Sequence, residues 1–247
     1  MSTTTKRETS YRLQQTIAKA LIVVVLTAGA VIVLVPLYWM FSRSLMPLGQ
    51  YYEIPPVWIP RPLTLEAYTS MWDMYPWPRF VANTLQIAFL AILGNLLSST
   101  CVAYGFTYFR APGRNTLFFV LLSTTMLPGV VTMVPLFVLF RQLKWIDTYL
   151  PLIVPAWFGS AFHIFLLRQF FQTLPPDLFE AARIDGCSEF GILARIVLPL
   201  SGPALAAISI LQFQWRWNEF MGPLIYLNSF KKYPVSLALY TLRGEPQ

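Results

Sequence analysis

The chain has 247 residues, of which 56% are hydrophobic and only 12% are charged, and its formal net charge is +7. Soluble domains carry about 25% charged residues, so half that share excludes an ordinary water-soluble domain and indicates a lipid bilayer as the solvent. In a membrane protein, basic residues lie at the loop ends that orient the helices, so we expect no nucleic-acid partner. Cys101 and Cys187 have no metal-binding spacing and are not expected to form a disulfide.

Five stretches of 20 or more residues contain no charged side chain: 20–42, 80–109, 115–140, 148–167 and 196–215. In a helix, roughly 20 apolar residues cross the ~30 Å hydrocarbon core of a bilayer. Because the backbone in lipid must satisfy its own hydrogen bonds, each stretch is predicted to be a helix. The composition therefore predicts an all-α membrane protein, a polytopic helical bundle with five visible spans.

The N-terminal part is predicted to be a polar tail, residues 1–16, followed by the first span. This apolar run continues through Val31 to Phe41, whereas the apolar core of a secretory signal has only about 7–15 residues, so we expect a retained anchor. The connection from 43 to 79 is rich in Pro and Trp, which is typical of a segment at the membrane interface. Within it, a short amphipathic helix is predicted at 65–72 with Thr64 as its N-cap.

The second, third and fourth spans are predicted at 81–108, 116–140 and 149–171. Pro128 and Pro135 predict kinks in the third span, since proline lacks the N–H that an interior helical position donates. The fifth span is predicted to begin at Pro199 and to continue as one helix to about Leu227.

A polar segment separates the fourth and fifth spans and contains PPDLFEAARIDGCSEFGILARIVLP at 175–199, which we call the polar hairpin. Pro175 and Pro176 can start a helix, because the first helical N–H groups have no partner in any case. Gly186 permits a left-handed turn that a Cβ would disfavour. Ser188 is predicted to cap a second short helix. The segment is therefore predicted to be a helix–turn–helix.

The polar hairpin resembles the EAA loop of the membrane-spanning permease subunits of bacterial ABC importers. Glu180-Ala181-Ala182, Gly186, Ile196 and Leu198-Pro199 stand at the motif positions, within a loop at 172–199. Other segments resemble the carbohydrate-importer branch: NTLQIA at 83–88, AYGF at 103–106, WNEF at 217–220 and PLIYLN at 223–228. The resemblance implies the fold of the type I, MetI-like permeases. These have six spans, so a last helix is expected after an external loop at 229–247.

The same resemblance implies a non-enzymatic subunit that moves a sugar or related polyol by alternating access. The implied partners are a second permease subunit, two ATPase subunits that bind ATP and Mg, an extracytoplasmic solute-binding protein and the lipid bilayer. The EAA loop faces the cytoplasm in the family, which implies a multi-pass protein of the bacterial cytoplasmic membrane with a cytoplasmic N-terminus. The residues implied to couple to the ATPase are Glu180, Ala181, Ala182, Asp185, Gly186, Ile196, Leu198 and Pro199. None of the glycines opens a phosphate-binding G-x-x-x-x-G-K-[ST] loop, so ATP hydrolysis is expected on another polypeptide.

Candidate residues for a substrate path lie in the fifth predicted span: Trp215, Arg216, Trp217, Asn218 and Glu219. Charged residues inside a span usually pair and face the bundle interior or water. The pair Arg216 and Glu219 either lines a polar route or forms a self-satisfied ion pair near the interface, flanked by belt tryptophans. Weaker candidates are Tyr104, Trp157, Ser160 and Gln214. His163 is expected to pack or to form a local hydrogen bond.

Two other classes of membrane protein would require features that this sequence lacks. An ion-coupled secondary transporter would need buried acid or base relays and usually repeated halves. A membrane-embedded enzyme would need clustered Asp, His or Ser–His groups. Glu219 is the only acid well inside a predicted span, and the chain has one histidine, so both readings are disfavoured.

Overall fold

The computed structural model describes residues 2–242, with side chains described from 14 to 241. Within this range the regular structure consists of helices, and no strand is present. The chain divides into two compact units, Met1–Pro76 and Trp77–Gln247. The predicted all-α fold class is confirmed for the described part of the chain.

The first unit contains two α-helices, α1 (Ser2–Ser44) and α2 (Glu66–Met74), and a 3₁₀ turn at Leu48–Tyr52. Helix α1 already begins at Ser2, so the described part of the predicted polar tail is helical. Helix α2 lies close to the predicted position, and Thr64 Oγ1 accepts a hydrogen bond from the backbone N–H of Glu66 over 3.0 Å. A short helix is therefore present close to the predicted position, but its N-cap is Leu65 and not the predicted Thr64.

Aromatic and polar side chains hold the connection after α1 against the end of that helix. Ser42 Oγ and the hydroxyl of Tyr38 both donate to the carbonyl of Trp58, over 2.6 and 3.0 Å. The guanidinium of Arg43 lies 4.6 Å from the ring centroid of Trp39 and donates to the carbonyl of Tyr51 over 2.7 Å. Between the 3₁₀ turn and α2, the Pro- and Trp-rich segment is thus held in place without regular secondary structure.

The second unit contains the remaining helices, in chain order α3 (Trp77–Tyr108), α4 (Arg114–Ser123), α5 (Gly129–Gln142), α6 (Leu150–Ile153), α7 (Ala161–Phe171), α8 (Asp177–Ile184), α9 (Glu189–Ile192), α10 (Leu198–Leu200), α11 (Gly202–Asn218), α12 (Met221–Tyr226) and α13 (Val235–Leu242). Short 3₁₀ turns occur at Thr124–Met126, Val154–Phe158 and Phe230–Lys232, and a π-helical turn occurs at Leu193–Val197. Helix α13 begins inside the segment predicted to be an external loop, and residues 243–247 of that segment lie outside the described residues.

Three helices are long and apolar enough to cross a membrane: Gln14–Ser44, Trp77–Tyr108 and Leu150–Phe171. Two further pairs pass the same test together but are bent, Arg114–Met126 with Gly129–Gln142 by 93° and Glu189–Leu200 with Gly202–Asn218 by 75°. If each bent pair is one crossing, the described part of the chain has five spans, as predicted. The break in the third span lies at Pro128, one of the two predicted kink sites, whereas Pro135 lies inside α5.

The prediction of one continuous fifth helix to Leu227 is wrong. Helix α11 ends at Asn218, Glu219 is extended with ψ of 121°, and α12 restarts at Met221. Pro223 explains the break, because in an unbroken helix it could not donate to the carbonyl of Glu219 and its ring would clash there. That carbonyl instead accepts a hydrogen bond from Ser236 Oγ over 2.6 Å.

Helix α3 is the centre of the second unit and packs against α7, α11 and the Val154–Phe158 turn. A buried apolar cluster joins it to the polar hairpin and includes Ala103, Leu167, Phe171 and Ile208. These side chains are essentially inaccessible to solvent. The hairpin is therefore built onto the same core as the spans and is not an independent appendage.

A cluster of polar contacts around Asp147 joins the connection before α6 to the segment after α12. The Asp147 carboxylate accepts hydrogen bonds from the N–H groups of Asn228 and Ser229 over 3.0 and 2.9 Å, and from the Ser229 hydroxyl over 2.5 Å. Lys232 Nζ completes the cluster at 2.9 Å. The pKa of Asp147 lies well below its ordinary value, and the largest cause is the hydrogen bond from the Ser229 hydroxyl. Hydrogen bonds from Lys232 and from the two backbone N–H groups lower it further.

Candidate functional site: a polar hairpin and a membrane cleft

The polar hairpin forms the predicted helix–turn–helix. Helix α8 occupies its first half, and α9 with the following π-helical turn occupies its second. Gly186 lies between them with φ of +78°, the left-handed conformation that was predicted. Ser188 Oγ accepts a hydrogen bond from the N–H of Gly191 over 3.2 Å, so its predicted capping role is confirmed.

The turn at Gly186 is a Schellman motif. The N–H of Cys187 donates to the carbonyl of Ala182 over 2.9 Å, and the N–H of Gly186 donates to the carbonyl of Arg183 over 3.0 Å. These two bonds satisfy carbonyls at the end of α8 that would otherwise have no partner. The direction in which the second helix leaves therefore depends on the left-handed residue.

The hairpin has an inner and an outer apolar face. Phe179, Ala182 and Ile192 are buried against the bundle. Ile184 and Phe190 are 85% and 76% exposed. These two side chains form the most exposed apolar part of the hairpin.

The residues predicted to couple are distributed over both faces. Ala182 is buried, and Ile196 and Leu198 are half-buried. The exposed members are Glu180, Ala181, Asp185, Gly186 and Pro199. The motif thus supplies the hairpin's packing and its turn as well as part of its exposed surface.

An ionic cluster crosses the hairpin and reaches α3, and no local pattern in the sequence predicts it. Arg183 Nε donates to Glu189 Oε1 over 2.8 Å, and Arg183 Nη2 lies 3.3 Å from Oε2. The hydroxyl of Tyr104, on α3, donates to the same Oε2 over 2.6 Å. The hydrogen bond to Glu189 raises the pKa of Arg183, so the guanidinium stays charged throughout the working range.

The bundle also contains a cleft of about 810 Å³ between α3, the segment before α7, and α11. The polar side chains that line it are Asn95, Ser160, His163, Gln212, Gln214, Arg216, Asn218 and Glu219. Trp215 and Phe162 supply aromatic surface. Such a mixture of amides, a hydroxyl and aromatic rings is suited to a solute that carries hydroxyl groups.

A buried polar network forms one wall of the cleft. His163 Nδ1 lies 2.9 Å from Asn95 Oδ1 and 3.2 Å from Gln212 Nε2. A neutral Nδ1 either donates to Asn95 or accepts from Gln212, so the two contacts are alternatives. The expectation that His163 forms a local hydrogen bond is confirmed, and its partners come from two other helices.

The predicted ion pair of Arg216 and Glu219 is present at the end of α11, with Nη1 and Oε2 2.6 Å apart. Their side chains are only 14% and 21% exposed, so removal of either charge would leave the other buried without a partner. Because the pair neutralises itself, it adds no net charge to the cleft. Trp215 lines the cleft, whereas Trp217 is not among its lining residues and lies 5.5 Å from the ring of Phe213.

Of the weaker candidates for the substrate path, two line the cleft and two do not. Ser160 and Gln214 line the cleft. Trp157 packs against Gly94, and Tyr104 reaches the polar hairpin. Asn95 and Gln212 were missed, although polar residues inside apolar spans are a usable signal, since spans bury few of them without a reason.

Comparison with known proteins decides the family. Residues 94–240, more than half of the chain, match the model of the binding-protein-dependent transport system inner membrane component family. The chain belongs to this family. It is therefore a membrane transport component rather than an enzyme, and the match favours this class over an ion-coupled secondary transporter.

Relatives of this permease cover most of the chain. It is 36% identical over 208 residues to the sn-glycerol-3-phosphate transport system permease protein UgpE of Escherichia coli O1:K1, covering 82% of this chain and 74% of that protein. It is 38% identical over 186 residues to the arabinooligosaccharides transport system permease protein AraQ of Halalkalibacterium halodurans, covering 74% and 66%.

The fold of the permease is that of a solved importer. A chain in the crystal structure of a bacterial ABC transporter involved in the import of the acidic polysaccharide alginate matches with a TM-score of 0.85 and 25% identity. The match covers 95% of this chain and 83% of that chain. The predicted fold of a MetI-like ABC importer permease is thereby confirmed.

Proposed function

We propose that this permease moves a sugar or related polyol across the bacterial cytoplasmic membrane by alternating access. Its partners in the proposal are a second permease subunit, two ATPase subunits and an extracytoplasmic solute-binding protein. ATP and Mg bind to the ATPase subunits, and this chain supplies the membrane path and the polar hairpin. The observation that carries the proposal is the hairpin itself, with one apolar face fixed to the bundle and the other exposed.

In this proposal, residues 17–228 form the permease domain and 172–199 form the loop that meets the ATPase in the cytoplasm. Residues 1–16 then lie in the cytoplasm, and 229–247 lie outside. Movement of the ATPase pair displaces the hairpin, and the shared apolar core carries this displacement to the spans. The cleft is thereby opened to one side of the membrane at a time.

The cleft supports a solute without net charge. The charge of Arg216 is neutralised by Glu219, and the other polar groups are amides, a hydroxyl and an imidazole. These groups donate and accept hydrogen bonds, as the hydroxyls of a sugar require, and Trp215 offers a ring face for the apolar side of a pyranose. Of the two relatives, AraQ is named for arabinooligosaccharides, which are uncharged sugars, whereas UgpE is named for sn-glycerol-3-phosphate, a polyol that carries a charged phosphate.

Docking is tested with Phe190, which is exposed at the second helix of the hairpin. Phe190→Asp is expected to prevent the cognate ATPase subunit from co-purifying with the permease pair, because a carboxylate in an apolar interface loses its hydration. Phe190→Leu, which keeps the apolar contact, is the matched control and should retain the ATPase. Retention of the ATPase at wild-type stoichiometry by Phe190→Asp would contradict the proposed docking surface.

The substrate path is tested with two neighbouring tryptophans. Trp215→Ala is expected to lower sugar uptake by proteoliposomes containing the whole importer about threefold to tenfold, because loss of ring contact removes about 0.5–1.5 kcal/mol. Trp217→Ala is the matched control, since its ring lies outside the cleft lining. Uptake would be measured as initial rate against substrate concentration. Equal losses in both variants would show that the tryptophans act through packing or lipid contact.

A further inference from the structure

We infer that Tyr104 is a positioning residue for energy coupling, which joins the polar hairpin to α3 through Glu189 and Arg183. The inference rests on the proposed function, because it takes the hairpin to be the part that the ATPase moves. It adds a specific contact to that function, one outside the EAA motif. The three residues form a continuous chain from the hairpin to the centre of the bundle.

The contact is strong and directional. The Tyr104 hydroxyl lies 2.6 Å from Glu189 Oε2, within the range of short O–H···O⁻ hydrogen bonds. Arg183 holds both oxygens of the same carboxylate, at 2.8 and 3.3 Å, so the acceptor cannot rotate freely. Arg183 lies in the last turn of α8 and Glu189 is the first residue of α9, so the cluster also ties the two arms across the turn at Gly186.

Tyr104 is fixed on the α3 side. Its side chain is only 4% exposed, and its ring lies 5.0 Å from that of Tyr108 and 5.6 Å from that of Phe109. A buried ring in an aromatic cluster has few alternative rotamers, so a displacement of Glu189 moves α3 and is not absorbed by rotation of the Tyr104 side chain.

The other contacts of the hairpin with the bundle are mainly apolar. Phe179 and Ile192 pack in the shared core, and Phe179 lies 4.5 Å from the ring of Tyr108. Apolar packing is non-directional and tolerates small sliding movements, whereas a hydrogen bond between two fixed groups specifies one position. Tyr104 therefore determines the register in which the hairpin meets α3.

Helix α3 leads directly to the cleft. Asn95, which lines the cleft and contacts His163, lies on the same unbroken helix as Tyr104. At 1.5 Å per residue, the two positions are roughly 14 Å apart along the helix axis. A rigid helix over this distance connects the hairpin to the solute path without an intervening flexible segment.

The test compares Tyr104→Phe with Tyr108→Phe in the whole importer, reconstituted in proteoliposomes with its binding protein. Tyr108 is the matched control, because it neighbours Tyr104 but its hydroxyl donates to the carbonyl of Phe171 on α7. We expect Tyr104→Phe to lower the number of solute molecules moved per ATP hydrolysed by about fivefold to tenfold, with unchanged subunit stoichiometry. Tyr108→Phe should keep the wild-type ratio.

A double substitution adds a second readout. If Tyr104 acts through Glu189, then Tyr104→Phe combined with Glu189→Gln should give nearly the same ratio as the more severe single variant. Additive losses would overturn the inference, as would a wild-type ratio in Tyr104→Phe, an equal loss in Tyr108→Phe, or loss of the ATPase from purified Tyr104→Phe complexes. A wild-type ratio in Tyr104→Phe while Phe190→Asp still releases the ATPase would leave the proposed function intact. A wild-type ratio in Tyr104→Phe together with retention of the ATPase by Phe190→Asp would remove both.

Discussion

Replacement of Gly186 by valine is expected to abolish coupled transport by this permease while leaving its insertion into the membrane intact. Gly186 has φ of +78°, where a β-branched residue is strained by at least ~1–2 kcal/mol. The Schellman bonds at the end of α8 depend on this conformation, so relief of the strain changes the direction of α9 and moves Phe190 relative to α8. We expect solute uptake to fall more than about tenfold, and ATP hydrolysis to lose its stimulation by the binding protein.

Gly113 provides the control for this experiment. It has nearly the same conformation, with φ of +75°, and a Cβ added at either glycine would meet no atom within 4 Å. Gly113→Val therefore introduces similar backbone strain in the turn before α4, away from the polar hairpin. If both variants lose transport equally, strain alone is the cause. Unchanged stimulated ATP hydrolysis and uptake in Gly186→Val would argue against the hairpin as the ATPase contact.

Replacement of Gly94 by alanine is expected to destabilise the bundle by about 1–3 kcal/mol, although alanine is the better helix former. A Cβ at Gly94 would overlap the indole of Trp157, which packs directly on the α3 backbone. The indole belongs to the 3₁₀ turn that precedes α7, so the clash separates two central elements of the bundle. The measurement is the midpoint of thermal unfolding of the purified permease in detergent, which should fall by several degrees.

Gly105 is the matched site on the same helix. No atom lies within 4 Å of a Cβ placed there, so Gly105→Ala should leave stability unchanged or raise it by up to ~1 kcal/mol. An unfolding midpoint for Gly94→Ala as high as that of Gly105→Ala would show that the close packing of Trp157 on Gly94 does not contribute to stability. The comparison also tests the packing of α3, on which the connection between Tyr104 and Asn95 depends.

Local features of the sequence were sufficient to locate the crossings and the hairpin, although the fifth helix ends at Asn218 and does not continue to Leu227. Charge-free stretches located the crossings, because a bilayer penalises charge over the full length of a helix. Gly186 and Ser188 were assigned from residue type alone, since a left-handed turn and an N-cap each need a particular side chain at one position. The break at Pro128 followed from the same kind of rule.

The site itself depended on residues that are distant in the chain. Tyr104 and Glu189 are 85 positions apart, and Asn95 and His163 are 68 apart. No periodicity links such pairs, so Tyr104 and Asn95 could not be assigned their partners, and the two tryptophans beside Arg216 could not be told apart. The sequence by itself thus determined the bilayer as solvent, the positions of the spans and the turn at Gly186, because these depend on single residues and their neighbours. Only the tertiary structure decided which polar side chains meet and which of them line the cleft, because that depends on how the helices pack.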